Sequence, residues 1–119
     1  MKTRLLDRFA FASAFWPIAW LFLFYAFVFR ARLELGYWPT PSYPDPKSLG
    51  FGLHHAIIWL GLFAWPVLSG CALVLALLRG EGSARFPFWI TVTLLVISLA
   101  LTFAVIWSDP GRFMLWFAD

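Results

Sequence analysis

Three long apolar runs separated by two polar connections set the pattern of this 119-residue chain. Phe9 to Phe29 is 21 residues without a charged side chain. At 1.5 Å rise per residue it crosses the roughly 30 Å of hydrocarbon in a bilayer. The start MKTRLLDR has the basic character of a signal peptide, but an h-region is about 7–15 residues and the small residues ASA lie at the wrong end for cleavage. The run is read as a retained span. A second span covers about 52–78, and its uninterrupted part, Ala56 to Leu78, is 23 residues. Gly61, Pro66 and Gly70 lie inside it, and Pro66 predicts a kink because its ring displaces the preceding turn and it has no amide to donate. A third span covers about 87–108, opened by Pro87 near its first helical position and closed by SDPG. Trp89 and Trp107 stand 18 residues apart in it, about 27 Å along a helix, the spacing of two interfacial aromatic belts.

The expected fold class is therefore all-α integral membrane: three transmembrane helices with a long Pro/aromatic loop between helices 1 and 2. One membrane domain covers 1–119, with an external loop at 31–50 and an interfacial C-terminal tail at 109–119. Composition sharpens this. Hydrophobic residues make up 62% of the chain and charged ones 13%, half the quarter or so that a soluble domain carries, and mean hydropathy is +0.81. The net charge of +3 comes from basic residues at the ends of apolar runs, where they meet headgroups. No basic stripe exists for nucleic acid, and membrane lipid is the expected partner. Cys71 is the only cysteine, so no internal disulfide can form.

Orientation follows from basic residues near the span ends. With the N-terminus inside, Lys2, Arg4, Arg8, Arg79 and Arg85 face the cytoplasm and Arg30, Arg32, Lys47 and Arg112 the outside. This slight excess favours a cytoplasmic N-terminus and an external C-terminus.

Apolar helices gain little by leaving lipid for one another, so small residues and hydroxyls must hold them together. Thr91, Ser98 and Thr102 fall within about 40° on one stripe of the third span, which is expected to face protein. Gly61, Ala72 and Ala76 are the corresponding packing positions on the second, Ala72 and Ala76 forming a small-xxx-small pair. A polar path along the hydroxyls is the other reading of the stripe. The first span, FWPIAWLFLFYAFVF, carries aromatics on every face, for acyl chains or for other helices and rings.

Packed antiparallel helices need about 2–8 connecting residues, and this loop has about twenty. Trp38, Pro41, Pro44 and Lys47 recur every third residue, which in a polyproline II helix lines one edge, with Tyr37, Thr40, Tyr43 and Pro46 along another. The expectation is an extended strap, ending in a turn with Asp45 as N-cap and Pro46 at the first helical position. It reads as a stiff cover held to the headgroups or as a docking strap for a partner subunit, with substrate binding as the remaining reading. Tyr37, Trp38, Pro41, Tyr43, Pro44, Asp45 and Lys47 are the candidate partner contacts.

His54 and His55 are the only histidines. Neighbours on a helix point about 100° apart, so the pair cannot grip one haem iron from both faces. Either could be an axial ligand to a tetrapyrrole, haem or chlorophyll, held with other chains, or could join Asp45 or Glu34 around a metal. The ordinary reading is an interfacial histidine bonded to water, loop carbonyls or headgroups. Tetrapyrrole is thus the candidate cofactor, and no catalytic residue or metal site is assigned. No charged residue lies deep in any span, as a pump or coupled transporter needs, and no catalytic motif is present.

The loop reads W-P-x-P-x-x-P-D-P-K-x-L-G-F, with histidine close behind. Through Trp38, Pro44, Asp45, Pro46, Lys47, Gly50, Phe51 and His54, and through the tail DPGRFMLWFAD, the chain resembles small bacterial multi-helix membrane proteins. The resemblance implies a bacterial origin and brings no function with it.

The function these observations lead to is a non-catalytic accessory subunit of a larger bacterial inner-membrane complex, respiratory or photosynthetic, that contributes packing and loop contacts to other integral membrane subunits. The alternatives are a haem- or chlorophyll-binding subunit using His54 or His55, and a small homo-oligomeric carrier.

Overall fold

The structure, a computed structural model, describes residues 2–79 and 88–119. These form α1 (Lys2–Leu35), a 3-10 turn (Pro46–Leu49), α2 (Gly52–Arg79), α3 (Phe88–Ser108) and a short α4 (Phe113–Ala118). Helices α1, α2 and α3 are each long and apolar enough to cross a membrane, and the chain is an all-α, multi-pass membrane protein. Pro87, expected at the start of the third span, lies outside the described residues, as do Arg85 and the turn around it.

Helix α1 has 34 residues, or about 51 Å at 1.5 Å per residue, and accounts for the 53 Å longest dimension. It continues six residues past Phe29, where the apolar run ends, because ARLEL still offers helix formers and Ala31 is buried. Gly36 then stops it at φ +78°, its amide bonded to the Arg32 carbonyl at 3.0 Å. The connection therefore begins at Gly36, later than the hydropathy pattern places it.

Helix α2 runs antiparallel to α1: Phe27 meets Phe51, His54 meets Leu23, and the Trp20 and Trp16 indoles meet Ile58 and Gly61. Helix α3 returns parallel to α1, with Ile18 beside Ser98 and Ala14 packed with Ala72 and Leu95. The connection at 36–51 and the tail at 109–119 thus share one end of the bundle, here called the head.

The small-residue positions are buried, Gly61 against indole rings. A Cβ on Gly61 would sit 2.8 Å from Trp20 Cδ1 and 3.2 Å from Trp16 Cζ2. Both indoles donate past it, Trp16 Nε1 to the Gly61 carbonyl at 3.1 Å and Trp20 Nε1 to Ile58 at 2.8 Å, each using the second lone pair of a helical carbonyl. Ala72, Ala76, Thr91, Ser98 and Thr102 are all buried. Pro17 lies inside α1, and the amide next to it, that of Ile18, donates across to Ser98 Oγ at 3.3 Å. Thr102 Oγ1 in turn donates to the Ser98 carbonyl at 2.8 Å, so this part of the stripe is spent on structure.

Candidate functional site: the aromatic head

The connection is not an extended strap. Thr40 and Tyr43 exchange two backbone hydrogen bonds, each 3.0 Å, and the Thr40 hydroxyl adds a third to the Tyr43 carbonyl. This folds the chain back on itself, and the Tyr43–Pro44 peptide is cis. The polyproline II expectation fails for a physical reason: such a helix has no internal hydrogen bonds, whereas Pro-Ser-Tyr can close a turn that satisfies its own amides and dock on the helices beneath. The turn that follows does form from its local signals. Asp45 Oδ1 accepts from the Lys47 amide at 2.8 Å, the Asp45 carbonyl accepts from the Ser48 amide and hydroxyl, and Pro46 opens the 3-10 turn, which Gly50 ends at φ +72°.

What pins the connection is the tail. After α3, Asp109, Gly111 and Arg112 all adopt positive φ, reversing the chain within four residues. A Cβ on Gly111 would lie 2.6 Å from the Phe113 ring, so glycine is required for conformation and for space. The Asp109 carboxylate caps α4 by accepting from the Met114 and Leu115 amides at 2.9 and 3.3 Å. Helix α4 then drives Trp116 and Phe117 into the bundle. Trp116 is fully buried, and its Nε1 donates to the Pro44 carbonyl at 2.6 Å across 72 residues of sequence. Phe117 packs edge-on to Phe24 and Phe27 and lies over His55 with ring centres 4.7 Å apart.

The two histidines border this cluster. His54 Nε2 donates to the Leu23 carbonyl at 3.1 Å, and its ring meets Phe27 edge-on. His55 Nε2 receives the Trp59 indole N–H at 3.4 Å, which leaves the proton on Nδ1. Each ring thus spends its Nε2, the nitrogen farther from the backbone, on a neighbour within the chain. Among the described residues no three His, Cys, Asp or Glu side chains group as a metal site. The arrangement lends the tetrapyrrole reading no support.

The candidate loop contacts divide. Pro44 is buried beneath Trp116, Pro41 is half-buried and Asp45 is spent on capping. Trp38 leans between Phe29 and Phe113, with the Arg32 guanidinium 5.6 Å from its ring. Tyr37, Tyr43 and Lys47 are exposed, and the two tyrosines meet through their side chains. Loss of hydration, and after it the contact with Tyr43, raises the Tyr37 phenol above its usual range.

Sequence reasoning missed Asp109, Trp116 and Phe117. Their signal was present: Phe113, Trp116 and Phe117 have the i, i+3, i+4 spacing of a one-sided helix, and an aspartate and a glycine stand before them in the positions of a reverse turn and cap. A six-residue helix is too short to declare itself by hydropathy. Comparison with protein-family models, curated proteins and solved structures finds no match.

Proposed function

We propose that the chain is a non-catalytic accessory subunit of a larger bacterial inner-membrane complex, with its N-terminus in the cytoplasm, its head outside and its contacts made through helix faces and the head. The observation that carries this reading is the pair Tyr37 and Tyr43. The turn that ends in Tyr43 is tied by its own hydrogen bonds and lies next to Pro44, which Trp116 anchors, and Tyr37 meets Tyr43 through its side chain, yet Tyr43 remains 65% exposed. Ordering an aromatic contact before a partner arrives lowers the entropy cost of binding, and exposed tyrosines are the side chains that dominate interfaces. The helix faces add to it: Leu60, Phe63 and Val67 of α2 project away from the bundle, as does Trp107 of α3, and can meet lipid or further helices. The deep ionisable groups that transport would use are missing from the spans, and the Ser98 and Thr102 hydroxyls of α3 serve packing.

The test is purification in mild detergent followed by native mass spectrometry. A stoichiometric membrane partner that is retained by the wild type and lost from a Tyr37→Ala, Tyr43→Ala variant is the expected result. A chain that runs alone, or only with copies of itself, contradicts the reading.

A further inference from the structure

A groove runs down the outside of the head along α1. Its floor is the α1 face bearing Phe22, Tyr25, Ala26 and Phe29, and its walls are Trp38 from the connection and Phe113 from α4, enclosing about 540 Å³. That volume is within the roughly 300–1,000 Å³ of ligand sites, and the lining is almost wholly apolar. The groove opens sideways, since Phe22 and Phe29 are exposed on a helix that crosses the membrane. Its depth follows from the helix: Phe22 lies seven residues, about 10 Å, below Phe29. Three elements distant in sequence build it, so the tail and connection create it by folding onto α1.

Its upper end is basic. Arg32 continues the Phe29 face one turn higher and holds its guanidinium over Trp38. Arg112, exposed, immediately precedes the wall residue Phe113. The nearby Asp109 carboxylate is committed to the α4 amides, and Arg30 turns away to stack on Phe51 at 3.9 Å. An apolar channel at acyl-chain depth beneath two arginines at headgroup level matches one molecule class, in which an anionic phosphate is joined to a hydrocarbon chain.

We propose that this groove is a binding site for an anionic phospholipid, with one acyl chain along Phe22, Ala26 and Phe29 and the phosphate on Arg32 and Arg112. The site has a natural control in the groove of α3 lined by Trp89, Ile90, Thr93, Leu94 and Ile97, which is apolar and has no described arginine along it.

The experiment is native mass spectrometry of the full chain released from bilayers of equimolar phosphatidylglycerol and phosphatidylcholine. The wild type is expected to keep a phosphatidylglycerol adduct enriched about tenfold over phosphatidylcholine, in line with the attraction of two arginines for an anionic headgroup. Ala26→Trp, at an exposed floor position, removes the adduct by filling the channel. Arg32→Gln with Arg112→Gln leaves the channel but abolishes the preference, and Thr93→Trp in the α3 groove changes nothing. The double charge variant tests the site even if the tryptophan variant does not fold. Absence of the adduct from the wild type, equal retention of both lipids, or a preference that survives the charge variant overturns the proposal.

Discussion

The head and the opposite half of the bundle are held by different means. At the head, large rings interlock: Trp20, Phe24, Phe27, Phe51, Trp116 and Phe117 form one buried cluster, and indole N–H groups reach backbone carbonyls on other elements. Toward the other end the buried set is small, with Ala14 and Ala72 against Leu95, and Ala10, Ala76 and Thr91 also buried. The contrast follows from the solvent. Between helices in lipid, affinity comes from contact area and from polar groups that find partners. Small residues gain area by letting backbones approach. At the head, where chain segments outside the helices must also be covered, rings fill the wider gaps and their N–H groups satisfy turn and helix carbonyls.

If that contrast is right, truncation and enlargement should have opposite weights in the two regions. Trp116→Ala carries the largest effect, a loss of about 3–5 kcal/mol in denaturant titrations of the protein in mixed micelles, because it empties the centre of the ring cluster. Ala72→Leu comes next at about 1–3 kcal/mol, since the new methylenes have no room between α1 and α3, whereas Ala72→Gly costs no more than about 1 kcal/mol. A glycine substitution as damaging as Trp116→Ala would break the comparison. Trp116→Phe separates the ring from its hydrogen bond, and loss of the donor to Pro44 costs about 1 kcal/mol. Ser98→Ala sits at the bottom of the scale, near the roughly 0.6 kcal/mol average of hydrogen bonds between membrane helices, because Ile18 loses its cross-helix acceptor.

The spans were legible because hydropathy over twenty residues is a long-range average that a few local features cannot disturb. The hydroxyl stripe of α3 was equally plain, as Thr91, Ser98 and Thr102 share a face at helical spacing whatever they pack against. Two kinds of information were not local. The connection closes its turn through Thr40 and Tyr43 and is tied by Trp116, 72 residues beyond Pro44, neither of which the three-residue rhythm of prolines reveals. Likewise the Ile18 amide beside Pro17 donates to Ser98 on α3, a contact across 80 residues that no local pattern announces. The end of α1 was misjudged because charged residues mark where hydrocarbon stops, and a helix is free to continue past that level.

The tail locks the connection through Trp116, so that the head is one rigid unit carrying Tyr37 and Tyr43. Hydrogen–deuterium exchange over residues 36–51, comparing the wild type with Trp116→Ala in the same lipid, tests it directly. Slow exchange is expected at the Thr40, Tyr43 and Ser48 amides of the wild type and a rise of at least about tenfold in the variant, since loss of the Trp116 anchor shifts the local opening equilibrium by about 1.4 kcal/mol or more. Equal exchange in the two proteins would show that the connection holds its shape without the tail, and would contradict it.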